Sequence, residues 1–167
     1  SITAKEGADY VRLGFYIGGV WQKNSGVKIL IDQVVFESIT DEKLINGGFE
    51  MGSGENDVYS WHLTSKDSGN KPTTNNWAKN YSMKRVEKGY NGAAVAVTRN
   101  GMGYVSLDSN YIKSGPGITY MVDYAFKVEN SVYETFFGVR AEVAEFDAQK
   151  NLISVTKLHT PVRENTD

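Results

Sequence analysis

Tyr10-Val11-Arg12-Leu13-Gly14-Phe15-Tyr16-Ile17 places Val11, Leu13, Phe15 and Ile17 on one side and Tyr10, Arg12, Gly14 and Tyr16 on the other. A period of two is the signature of a strand with one buried face. Asn24-Ser25-Gly26 follows as a turn signal. Val27 to Phe36 is then almost continuously apolar, interrupted by Asp32 and Gln33, and predicts a strand buried over most of its length. Residues 10–36 are therefore expected to form a hairpin with Trp21 near its tip.

The same reading extends down the chain. Ser38 to Lys43 is a polar junction, and Leu44 to Phe49 predicts a short strand. Residues 51–80 are rich in Gly, Ser, Asn and Thr and read as loop, with a short strand at Tyr59 to Leu63. Further strands are expected at Ser82 to Glu87, Ala93 to Arg99, Gly103 to Leu107, Thr119 to Val128, Thr135 to Phe146 and Ile153 to Thr160. Gly115-Pro116-Gly117 marks a turn before the 119–128 strand, and Asp147 to Asn151 reads as a turn between strands. Residues 3–9 and 141–150 contain helix formers but lack a sustained 3.6 period with caps. The expectation is an all-β antiparallel sandwich or barrel.

Composition narrows the function classes. A chain of 167 residues suffices for one core without staples. Net charge is -2 and the pI about 5.7, against the basic stripe of nucleic-acid domains. There is no polybasic run and no window of 18 apolar residues, so neither a membrane surface nor a helical span is indicated. Cysteine is absent, which removes disulfides, thiolate zinc sites and cysteine nucleophiles, and fits the cytosol and bacterial extracellular proteins equally. Both termini read as cuts from a longer protein. His62 and His159 stand outside any metal or triad spacing, and no glycine-rich phosphate loop opens a helix.

Three motifs resemble carbohydrate-binding modules of families four, nine and twenty-two, which are galactose-binding-domain-like jelly rolls. Leu44-Ile45-Asn46-Gly47-Gly48-Phe49-Glu50, followed by Trp61, is similar to their opening. Gly89-Tyr90-Asn91-Gly92-Ala93-Ala94-Val95 and Gly115-Pro116-Gly117-Ile118-Thr119-Tyr120 are similar to their next landmarks. The resemblance covers 44–128 in order and runs more loosely to 160. Their closing strand resembles Ile31-Asp32-Gln33-Val34, which here lies at the front, with Gln33 departing at the second acidic position. The chain thus resembles an out-of-register piece of a tandem array or a circular permutation. Residues 1–37 carry C-terminal-type strands and 41–167 the others, and an isolated 41–167 would leave edges unpaired. The two parts are expected to close one sandwich.

The resemblance implies a secreted or cell-surface bacterial module that binds a polysaccharide and is not itself an enzyme. It is expected to be monomeric or part of a larger multidomain chain, with no nucleic-acid or membrane partner. It also implies a structural Ca2+ held by Asp32 and Glu50, with carbonyls from Lys88 to Asn91. Read without the family, both carboxylates need partners, and calcium, backbone N–H groups or a lysine would each serve. Sugar rings pack on aromatic faces, and their hydroxyls need planar polar groups. On that basis Trp77, in a polar stretch, and Tyr104 and Tyr133, at strand starts, are candidate platforms. Arg140 and Glu142 alternate with Val139, Ala141 and Val143 and are candidate polar contacts, with Arg12 and Tyr16 on a face of the same kind. A solvated face carrying an ion pair accounts for the same pattern. Trp61 is expected in the core. Glu142 with Glu129, or Glu145 with Asp147, are the carboxylate pairs a glycosidase would need, and no motif singles them out. The alternatives to a sugar-binding module are a β-sandwich spacer of a bacterial surface protein and a fragment of a jelly-roll glycanase or lyase.

Overall fold

The computed structural model describes residues 1–17, 26–37, 44–54, 57–66, 81–100, 104–131 and 139–158. They contain no helix and form an antiparallel β-sandwich. The strands are β1 (Ile2–Thr3), β2 (Tyr10–Ile17), β3 (Gly26–Glu37), β4 (Gly52–Gly54), β5 (Asp57–Val58), β6 (His62–Lys66) and β7 (Tyr81–Val86). They continue with β8 (Ala94–Asn100), β9 (Tyr104–Asp108), β10 (Ile112–Lys113), β11 (Thr119–Ser131), β12 (Val139–Phe146) and β13 (Leu152–Lys157). The first sheet runs β1-β11-β3-β8-β7 and the second β13-β12-β2-β9-β6, with β10 also on β2. β4 and β5 form a separate ribbon.

β2 and β3 do not form the expected hairpin. β2 lies between β12 and β9 in the second sheet, and β3 between β11 and β8 in the first. Both have a fully apolar inner face, and a strand of that kind is most stable where neighbours cover both edges and the opposite sheet covers the face. Pairing them with each other would leave one of the two sheets without its centre.

The inner faces meet in one core. Val11, Leu13, Phe15, Ile29, Ile31, Val95, Leu107 and Val143 are each 0% exposed. Phe15 packs edge-on against Tyr124 of the facing sheet at 4.7 Å and stacks on Trp61 at 6.0 Å. Trp61 is buried, as expected of it, and its indole N–H donates to the Asn46 carbonyl at 3.0 Å.

Leu44 to Phe49 is a turn rather than a strand. Asn46 and Phe49 adopt left-handed φ of 57° and 55°, which breaks any ladder. The Asn46 side chain instead ties the knot together. Its amide donates to the Met51 and Tyr59 carbonyls at 2.8 and 2.9 Å, and its oxygen accepts from the Met51 N–H at 3.0 Å. Gly47 passes so close to β3 that a Cβ would collide with the Val34 carbonyl, whose own N–H bonds back to Gly47 at 3.0 Å. β1 and β10 are two-residue strands with no periodicity to announce them.

Candidate functional site

The outer face of the second sheet gathers the polar residues. Alternation puts Tyr10, Arg12, Gly14 and Tyr16 of β2 on it, since Val11 to Ile17 of the other parity fill the core. The ladders then set neighbours in rows. One row runs Lys157, Glu142, Gly14, Asp108, His62 across five strands, and the next runs Arg140, Tyr16, Ser106, Thr64. Arg12, Tyr16, Arg140 and Glu142 therefore share one face.

Around Gly14 the groups are tightly paired. Glu142 Oε1 accepts from Arg140 Nε and Nη2 at 2.9 and 2.7 Å, while the Glu142 side chain is 5% exposed. The pair is two residues apart on one strand, not across strands. Asp108 Oδ2 lies 3.2 Å from Arg12 Nη2, and its Oδ1 accepts from the Ser106 hydroxyl at 2.6 Å. A Cβ at Gly14 would come within 2.7 Å of Asp108 Oδ1 and 2.8 Å of Ser106 Oγ. Glycine is required there because the Asp108 carboxylate and the Ser106 hydroxyl occupy the space a Cβ would take.

The aromatic rings on this face are already covered by cations. Arg140 Cζ sits 4.6 Å over the Tyr16 ring, and Arg12 Cζ sits 5.3 and 5.1 Å from Tyr111 and Phe146. Lys150 Nζ lies 5.4 and 4.8 Å over Tyr10 and Tyr111. Such contacts contribute about 0.5–2 kcal/mol each, more where water is excluded. Lys150 is held there by a tight turn. It has φ 63°, and Asp147 Oδ1 accepts from the Gln149 and Asn151 N–H groups at 2.9 and 2.8 Å. Those bonds hold the Asp147 carboxyl below the ordinary aspartate range.

A second constellation lies on the first sheet. β3 carries a bulge where Gln33 and Val34 oppose Tyr124 alone, with Gln33 at φ 49°. Asp32, at its edge, is 3% exposed and turns toward the Gly89–Ala93 loop. Its Oδ1 accepts from the Gln33 N–H at 2.6 Å and its Oδ2 from the Asn91 N–H at 3.0 Å. Glu50 reaches the other end of the loop, and its Oε1 accepts from the Ala93 N–H at 3.0 Å. Arg85 Nη2 stands 3.7 Å from Glu50 Oε2. A Cβ at Gly89 would lie 2.5 Å from Asp32 Oδ2, and one at Gly92 would collide with Glu50 Oε1. The fold thus brings both carboxylates onto one loop, where backbone N–H groups serve both and Arg85 also pairs with Glu50.

The remaining expectations divide. Trp77 and Tyr133, with Trp21 and His159, lie outside the described residues. Tyr104 opens β9, with only its backbone described. Glu129 belongs to the first sheet, where it pairs with Lys28 at 2.8 Å, so it cannot face Glu142. Glu145 points into the interior at 0% exposure and accepts the Lys5 N–H at 3.0 Å, while Asp147 is spent on its turn. Neither carboxylate pair flanks a cleft. Asp108 and Ser106 are the site residues that sequence reasoning missed. The signal was present, since Ser106 and Asp108 alternate with Val105 and Leu107 as Arg12 alternates with Leu13. Compared with known family models, characterised proteins and solved structures, the chain matches none.

Proposed function

We propose that the chain is a non-catalytic carbohydrate-binding module of jelly-roll type, tethering an extracellular enzyme or surface protein to a polysaccharide. The observation that carries this reading is the row through Gly14. Two carboxylates, two guanidiniums, a serine hydroxyl and Tyr16 are held on one sheet face around a residue with no side chain. Planar hydrogen-bonding groups fixed by their neighbours suit sugar hydroxyls, and fixing them in advance lowers the entropy cost of binding. A glycosidase needs two carboxyls flanking the sugar bond, and here Asp108 and Glu142 are each paired with an arginine. Tethering would raise the partner enzyme's local concentration on the polymer.

A specific observation favours the second reading, a spacer without ligand. The protein's own cations occupy the Tyr16, Tyr10 and Tyr111 rings. Affinity electrophoresis separates the two. The module reading expects retardation in a gel containing at least one soluble polysaccharide. It also expects about a tenfold weakening in Arg140→Met/Glu142→Gln, which removes both partners and leaves no lone buried charge. Migration unchanged by every polysaccharide would establish the spacer.

A structural Ca2+ at Asp32 and Glu50 belongs to the same proposal. The donor set suits a hard cation, because two carboxylates approach the backbone of Gly89 and Gly92 so closely that a Cβ is excluded. Among the described residues no cluster of three or more acidic or histidine side chains forms, so loop carbonyls and water would complete the shell. When bound, the ion would pin the loop to β3. Chelator-sensitive thermal stability, absent in Asp32→Ala, is the expected result.

A further inference from the structure

The geometry points to an anionic polysaccharide, one carrying carboxylates on its sugars, as the ligand of the second sheet's outer face. This deepens the reading as a carbohydrate-binding module and rests on it. The whole chain carries a net charge of -2, so a basic face is not a consequence of composition.

It arises from which charges the fold hides. On this face Glu142 and Asp108 are 4% and 2% exposed. The accessible charged groups are cations. Lys157 stands directly opposite Glu142 and Lys113 directly opposite Tyr10, both exposed. Lys150 is exposed above the Tyr10 and Tyr111 rings. Arg140 keeps 34% of its side chain accessible. At the rim, Asp147 directs its oxygens to its own turn. The outer face of the first sheet differs, with Lys28, Lys84 and Lys127 interspersed among Glu129, Asp123 and Glu37.

A polymer approaching the second sheet therefore meets positive potential first, with the acids screened beneath. Arg140 gives Nε and one Nη2 hydrogen to Glu142, and a guanidinium has five. Its remaining edge fits a planar carboxylate. Lys150 adds a point charge beside an aromatic pair, suiting the carboxylate of an acidic sugar.

Affinity electrophoresis of the full chain in gels containing a polyuronate, a neutral β-glucan, a neutral xylan or dextran sulfate tests this. The expected result is retardation by the polyuronate that falls at least tenfold between low and moderate salt. Lys150→Ala/Lys157→Ala should weaken it severalfold, and Lys28→Ala/Lys127→Ala on the other face should leave it unchanged. Circular dichroism checks that both variants are folded. Retardation by neutral polymers only would overturn this inference and leave the module reading standing. No retardation by any polymer would overturn both. Binding to dextran sulfate and polyuronate alike, weakened equally by the two double variants, would mean diffuse ion exchange and overturn the inference.

Discussion

On the outer face of the first sheet, Lys28 and Glu129 meet at 2.8 Å with 42% and 34% of their side chains exposed. On the outer face of the second, Arg12 and Asp108 meet at 3.2 Å with 11% and 3% exposed. The distances are similar and the energetics are not. Water screens the first pair, whose net contribution is about 0–1 kcal/mol. The second pair has lost its water, so each partner depends on the other and on further bonds. Charges alone do not organise a sheet face. What matters is whether the fold removes them from solvent and fixes their geometry.

The difference can be broken most sharply at Asp108. Asp108→Ala strands the Arg12 guanidinium among Tyr111 and Phe146, and should cost about 3–5 kcal/mol in urea unfolding. A loss below ~1 kcal/mol would mean the face is solvated like its counterpart. Gly14→Val forces a side chain against Asp108 and Ser106 and should cost about 1–3 kcal/mol, with altered near-ultraviolet dichroism as the rings shift.

Asp32 is a buried carboxylate on the first sheet. Asp32→Ala removes the acceptor for the Gln33 and Asn91 N–H groups and should cost about 1.5–3 kcal/mol without calcium. In excess calcium the wild type should gain further stability and the variant should not. Glu129→Ala should shift the unfolding midpoint by an amount worth no more than about 1 kcal/mol, less in high salt.

The smallest effect is expected at Asp147, which is partly buried in its own turn. Its carboxyl is held below the ordinary value, so its contribution is present above the unfolded aspartate pKa and lost as pH falls through the folded one. Protection of the Gln149 and Asn151 amides against exchange should therefore fall in acid before that of the strands. Protection unchanged down to global unfolding would show that the carboxylate does not hold the turn.

The all-β class and the facing of β2 and β12 are legible in the residues alone. Side-chain period is local, and the alternation from Val11 to Ile17 is visible without knowing any neighbour. The sequence likewise placed turns at Gly115–Gly117 and Asp147–Asn151, where backbone chemistry is local. Which strands are neighbours is a property of the packed sandwich. β2 and β3 adjoin in sequence and part into two sheets, because the burial of both faces and both edges is a property of the whole sandwich. The tertiary structure also decided that Leu44 to Phe49 is a turn held by Asn46, and that Asp108 completes the row through Gly14. Burial of Glu142 and Asp108 beneath exposed lysines was not readable either. Both signs of charge alternate with apolar residues in the same way, and solvent exclusion depends on what the rest of the chain places above them.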